Sequence, residues 1–361
     1  MSESAAEYHS SAETVFRQFA SGTNLEQTMK CKWIKQAGPP FSSLMAVILF
    51  TGTPARAQED SWASKAPVYD FSAERGPHHR RVETTVRVSD EDGTLIERPT
   101  RYIEIASGMN YFEDGQWKQS EERIEPHPQG AAALKGYYKI IFGRNLNRAG
   151  AIHLILPDGK NQKNHPLGLY YYDRADGQWV KLSGMRDTDG VIIPPNRILY
   201  ENAFHSIRGD VLYTYEKGRF EADVILRERP PAPGSFGLKH ETTVLEMVTE
   251  FAETPEPRKL ERVLKKEENE SKRATMAQPD IKDEMLDFGS SQFVPGTAFA
   301  LEADGGRPRD MSKHVPVGKR WLKHASRHIL AEQVDYAALE PLFRPLPARA
   351  IEGQSAKRGI R

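Results

Sequence analysis

The sequence predicts an all-β fold: sandwich-like antiparallel sheets built from hairpins, with minor short helices and a long charged insertion. Three observations predict it. Val82, Thr84, Val86 and Val88 alternate with Glu83, Thr85 and Arg87, the period of a half-buried strand. Asp-Gly pairs recur at Asp92-Gly93, Asp114-Gly115, Asp158-Gly159, Asp176-Gly177 and Asp189-Gly190, and such a pair tolerates the positive φ angles of a tight hairpin turn. Most of these pairs are flanked by aromatic or β-branched runs, the composition of strands.

The elements follow in chain order. The first strand ends at the Asp92-Gly93 turn, and residues 94–105 return as a second strand with Pro99 marking an edge or bulge. Further strands are expected at 137–142, 151–156, 167–172, 191–193, 211–215 and 222–226. A short echo links two of the turns. Tyr111-Phe112-Glu113-Asp114-Gly115-Gln116-Trp117 resembles Tyr171-Tyr172 followed by Asp176-Gly177-Gln178-Trp179. In both, a Trp on the returning strand is placed to pack across the hairpin onto the aromatic strand end. Residues 203–228 read as a central hairpin turned by Glu216-Lys217-Gly218-Arg219. Its cross-strand neighbours are Tyr213 and Tyr215 against Phe220 and Ala222. Asp223 is then either buried between apolar neighbours, with Arg208 or Arg227 as partner, or exposed at a bulge.

Arg229-Pro230-Pro231-Ala232-Pro233-Gly234 supports neither a ladder nor a helix. Residues 242–251 form one more strand. Residues 253–284 are charged and poor in aromatics, an exposed excursion in which 260–267 has the pattern of one or two helical turns. Residues 288–301 and 321–336 are β-prone again. The chain thus divides into 58–80 as a flexible lead-in, 81–343 as one β-rich domain and 344–361 as a disordered basic tail.

The N-terminal part has a different character. Phe41 to Phe50 is apolar but too short to span a bilayer, which takes about 20 residues. Met29-Lys30-Cys31-Lys32-Trp33-Ile34-Lys35 precedes it and Thr53-Pro54-Ala55-Arg56-Ala57-Gln58 follows it. A basic region, an apolar region and an Ala-x-Ala site make a secretory signal peptide over 29–57, cut between Ala57 and Gln58. Residues 1–28 are then an over-extended start or a long n-region, and the alternative is a membrane anchor left uncleaved. Cleavage leaves no membrane span and a cysteine-free mature chain, because Cys31 is the single cysteine. The localisation this implies is secreted, periplasmic or cell-surface.

Composition narrows the chemistry. Lys plus Arg and Asp plus Glu are 50 each, so bulk charge points to no nucleic acid. A charged fraction of 28% excludes a multi-span membrane protein. No Gly-x-Ser-x-Gly elbow, phosphate loop, dinucleotide turn or complete calcium loop is present. His324 and His328 would share a helix face and chelate a metal, but on a strand they lie about 13 Å apart. Carboxylates such as Glu104, Glu113, Asp223 and Glu250 lie on or beside strands without a spacing that certifies glycoside hydrolysis. No catalytic residue, cofactor or metal site is assigned. The remaining candidates are Trp117, Trp179, Tyr170 and Tyr172, whose ring faces could stack on a sugar or, alternatively, pack a sheet face.

One stretch resembles a known module. Leu199-Tyr200-Glu201-Asn202-Ala203-Phe204, Gly209-Asp210-Val211-Leu212-Tyr213-Thr214-Tyr215 and Phe220-Glu221-Ala222-Asp223-Val224-Ile225-Leu226 carry the likeness. Tyr102-Ile103-Glu104, Gly108-Met109-Asn110-Tyr111 and residues 144–152 extend it over about 95–340. They resemble the N-terminal β-rich module of large secreted bacterial proteins of the RHS-repeat or LamG-associated type. The resemblance implies an exported, non-enzymatic structural or interaction module. The alternative is a carbohydrate-binding or carbohydrate-active β-sandwich. A cell-surface glycan or another envelope protein is the partner these readings point to.

Overall fold

The computed structural model describes residues 14–21, 75–89, 92–302, 305–324 and 327–348, the first of these by its backbone alone. Ala57, Gln58, the proposed signal peptide, most of the lead-in and most of the basic tail lie outside the described residues. Strands dominate and the fold is all-β. β1 (Thr14–Ser21) is followed by β2 (Arg75–Gly76), β3 (His79–Ser89) and β4 (Leu95–Ile105), of which β2–β4 form a separate three-stranded sheet. β3 and β4 pair along their whole length from His79↔Ile105 to Ser89↔Leu95. β5 (Asn110–Glu113) and β6 (Gln116–Gln119) form an isolated hairpin. Its turn residues Asp114 and Gly115 have φ of 54° and 77°, the two positive angles of a type I′ turn. Among the five Asp-Gly pairs this is the one with both angles positive; at the other four Asp has negative φ and the chain bends by other turns.

The large sheet holds the remaining strands. β7 (Glu125–His127), β8 (Gly130–Ala133), β9 (Lys139–Gly143) and β10 (Ile152–Ile155) meander into β11 (Asn161–Asp173). A register shift between Leu169 and Tyr170 lets β11 pair with β12 (Trp179–Gly184) over its second half. β13 (Gly190–Ile193), β14 (Arg197–Tyr200), β15 (Gly209–Glu216) and β16 (Arg219–Leu226) form a second meander. β17 (Thr243–Glu253) lies between β11 and β23 (Arg327–Asp335), and β22 (Val315–His324) follows outward from β23. β18 (Arg258–Lys265) and β19 (Ile281–Asp287) form a hairpin that holds a one-turn helix, α1 (Glu270–Arg273), between its strands. β20 (Gln292–Val294) and β21 (Gly296–Ala300) lead into β22, and α2 (Tyr336–Phe343) closes the domain.

The two layers of the sandwich are opposite stretches of this one ladder. Phe142 of β9 meets Tyr213 of β15 at 5.8 Å and Phe220 of β16 at 6.1 Å, ring centre to ring centre. Phe251 of β17 meets Phe293 of β20 at 5.9 Å. Asn145 bridges to Asp189 and the Gly190 amide donates to the Arg144 carbonyl at 2.9 Å, so the outer meander curls back to the start of the sheet.

The hairpin expected at 203–228 forms in the expected register. Tyr213 opposes Ala222, Tyr215 opposes Phe220, and the Tyr213 and Phe220 rings stack 5.4 Å apart at 5°. Both faces are covered, and Asp223 is 1% exposed, so the buried alternative holds. Arg208 pairs with Glu228 and Arg227 with Asp210. The charged stretch behaves differently from its local pattern: 260–267 is mostly strand and not helix. β18 has no buried residue, and its pairing is drawn by cross-strand charges, Arg258 with Asp287 and Lys282 with Glu261 at 2.8 Å.

Candidate functional site

The echo between the two Trp hairpins produces two unlike places. In the first, Phe112 opposes Trp117 across the ladder, with ring centres 5.3 Å apart edge to face. Phe112 is exposed and Trp117 half-buried, and Lys118 joins Glu113 and Asp114 at 2.9 and 2.8 Å.

In the second, Tyr172 opposes Trp179, and the Tyr170 ring lies 5.5 Å from the indole. The alternation of β11 turns Tyr171 into the core, where its hydroxyl donates to the Pro231 carbonyl at 2.7 Å, and leaves Tyr170 and Tyr172 on the outer face. The next strand brings Glu246 opposite Tyr170. Trp179 donates from Nε1 to Glu246 Oε2 at 2.6 Å, and Arg320 donates from Nη2 to Glu246 Oε1 at 2.6 Å. The Arg320 guanidinium lies 4.2 Å from the centre of the Tyr172 ring and 6.0 Å from that of Trp179. Burial pushes the Glu246 carboxyl above its usual range, opposed by the charge and hydrogen bond of Arg320 and the hydrogen bond of Trp179. Trp179 nevertheless remains 43% exposed, so a large apolar ring is fixed by a buried carboxylate and faced to solvent.

Of the residues singled out in the sequence, Trp179, Tyr170 and Tyr172 form one cluster, and Trp117 belongs to the separate β5–β6 hairpin. The rings around Trp179 tilt by 45° and 79°, so they make no continuous flat shelf. Glu246 and Arg320 were not singled out. A trace of Glu246 is readable as a lone acid in the apolar run Val244-Leu245-Glu246-Met247-Val248.

A second group missed in the sequence lies inside the core. Lys319 and Asp283 are 1% and 0% exposed and form an ion pair, and Lys319 also donates to the Val294 carbonyl at 3.1 Å. Glu332 opposes Lys319 across β22–β23. Burial pushes its carboxyl up to about 7, with Lys319 lowering it and Asp283 raising it. Val317-x-Lys319-x-Trp321 and Leu330-x-Glu332-x-Val334 put these charges on the apolar face of their strands, and that is the signal by which they could have been found. Glu332 lines a cavity of about 40 Å³ with Gln162, Thr249 and Met247. Such a space holds about two or three waters, well below the roughly 300 Å³ at which ligand pockets begin. A shallow groove of about 530 Å³ opens between Arg144, Arg148, His153 and Lys163, where Asp189 and Glu253 offset Arg144 and Lys163.

His324 ends β22 and His328 lies in β23, opposite Lys323, so the pair is not on a helix. Among the described residues no three His, Cys, Asp or Glu side chains gather as a metal-holding group. No helix among them is long and apolar enough to cross a membrane. No family model, curated protein or solved structure matches the chain.

Proposed function

We propose that this chain is an exported interaction module with no chemistry of its own, which binds another envelope protein through the surface around Trp179. The observation that supports this reading is the exposed indole held by Glu246 and flanked by the Arg320 cation. Aromatic and arginine side chains fixed in place are the residue types that dominate binding energy at protein interfaces. The resemblance of residues 199–226 to leader modules of secreted proteins, and the basic–apolar–Ala-x-Ala order before Gln58, support the export half of the reading. Mass spectrometry of the secreted protein tests it. A mature N-terminus at Gln58 is the expected result, and any other start overturns the proposed cleavage.

A carbohydrate-binding surface is the second reading, favoured by Lys181, which lies on the same strand as Trp179 and whose ammonium is 5.8 Å from the Tyr170 ring centre. A glycan array run on the folded protein and on Trp179→Ala separates the two. A glycan signal lost in the variant supports sugar binding. No signal in either protein, with the variant still folded, removes that reading.

A further inference from the structure

Between β16 and the β20–β21 pair lies a place one strand wide, and β1 fills it. β1 pairs antiparallel with β16 over eight residues, from Thr14↔Leu226 to Ser21↔Arg219. On its other side it pairs antiparallel with β21 at Thr14↔Ala300 to Phe16↔Ala298, and with β20 at Phe19↔Val294 to Ser21↔Gln292. Strands in a sheet are about 4.8 Å apart, so without β1 two parallel edges face each other across about 10 Å. The walls are built for a strand. On the core side Val224 and Phe220 face Ala298 and Phe293 at matching register positions, all of them buried. On the outer side Ile225 and Phe299 flank one position, with Leu212 and Leu301 packed against them. Next to that position lies Asp223, buried on the same side.

The export reading removes this strand, because Thr14–Ser21 lies ahead of Met29 and of the Ala57–Gln58 cut. We infer that, in the exported protein, the slot between β16 and β20–β21 takes an extended segment of a partner protein as its missing strand. The inference rests on the export reading. Main-chain pairing to two open edges at once supplies the binding, and alternate pockets supply the selection, as in strand-addition complexes. The walls specify the segment. Apolar or small residues fit opposite Val224 and Phe220, and an apolar residue fits opposite Ile225. A basic residue fits opposite Asp223, whose carboxylate is buried beside the slot and attracts a cation at that register position. The sequence of β1 meets that pattern, with Arg17 at the register position of Asp223.

The test uses the full chain with a specific protease site placed after position 57. After folding and cutting, fluorescent Thr14–Ser21 peptide is added in excess, and size-exclusion chromatography follows the released fragment and the dye. Retention of the fragment by the domain, or its replacement by the labelled peptide, is the expected result. Loss of the fragment with no uptake of peptide overturns the inference. The Arg17→Glu peptide is expected to bind about ten-fold or more weakly. Equal binding overturns the part assigned to Asp223. The N-terminus of the secreted protein separates this from the export reading. A secreted chain that still carries Thr14–Ser21 defeats the export reading and the trans partner together, while the cut protein still reports on the slot.

Discussion

The β5–β6 and β11–β12 hairpins carry nearly the same local text, an aromatic strand end, Asp-Gly-Gln and a returning Trp, and both place the indole against the aromatic residue opposite. Their surroundings differ. β5–β6 is a sheet of two strands; beside Phe112 and Trp117 its polar contacts are the surface ion pairs of Lys118, while at its far end the buried Asn110 donates to the Gly76 and His79 carbonyls. β11–β12 borders β17, which contributes a carboxylate buried completely, and β22 contributes the guanidinium that pairs with it. The difference teaches that the hairpin is local while the site is not: neighbouring strands decide whether the indole of the returning Trp is held by a buried ion pair, as at Trp179.

The largest test of this contrast is Arg320→Met. Glu246 would keep a buried charge without its cation, which costs about 3–5 kcal/mol, read as a fall in the denaturant midpoint. In the other hairpin Lys118→Met is expected to leave the melting temperature unchanged within error. Equal losses in the two variants would break the comparison.

Glu332 extends the contrast into the core. Its carboxyl titrates at about 7 against 4.5 for an ordinary glutamate, so the folded state holds the proton more tightly than the unfolded chain. The stability this group contributes is full below about pH 4 and is lost as pH rises to about 7 and beyond. Glu332→Gln should therefore match the parent near pH 4 and gain about 2–3 kcal/mol at pH 8. A parent and variant whose stabilities stay parallel across that range would show that Lys319 keeps Glu332 ionised throughout.

Trp179→Phe keeps a ring but leaves Glu246 one donor short, an expected loss of about 1–2 kcal/mol. Trp117→Phe removes only part of a ring contact, with an expected change of about 0.5 kcal/mol or less. Urea titration of both variants ranks them, and the reverse order would refute the asymmetry. The smallest difference belongs to the turns. Gly115 and Gly177 have φ of 77° and 79°, so alanine costs about 1–2 kcal/mol at either position. A Cβ at Gly115 meets nothing within 4 Å, whereas one at Gly177 comes 3.3 Å from the Cβ of Ala277. Gly177→Ala is therefore expected to cost a few tenths of a kcal/mol more, and calorimetry on the pair checks the order.

The sequence by itself determined the all-β class and the β15–β16 hairpin residue by residue, because alternation of period two and a short turn are properties of neighbours along the chain. It also determined that each Trp crosses to its own aromatic partner, again within one hairpin. Tertiary structure decided the rest. β18 is a strand with no buried residue, and it carries no apolar alternation to read; its charges find partners on β19, as Arg258 does with Asp287 and Glu261 with Lys282, and on β23, as Lys265 does with Asp335. Glu246 meets Arg320 across 74 positions and Lys319 meets Asp283 across 36, so no local window contains either pair. The sequence allows either state for Asp223, since a lone carboxylate among apolar neighbours reads the same for a covered strand and for an exposed bulge. Its exposure was fixed by the strands that flank β16, with β15 on one side and β1 on the other. Period and turn chemistry act over a few residues and are written in order, whereas burial of a charge depends on which distant strand arrives beside it.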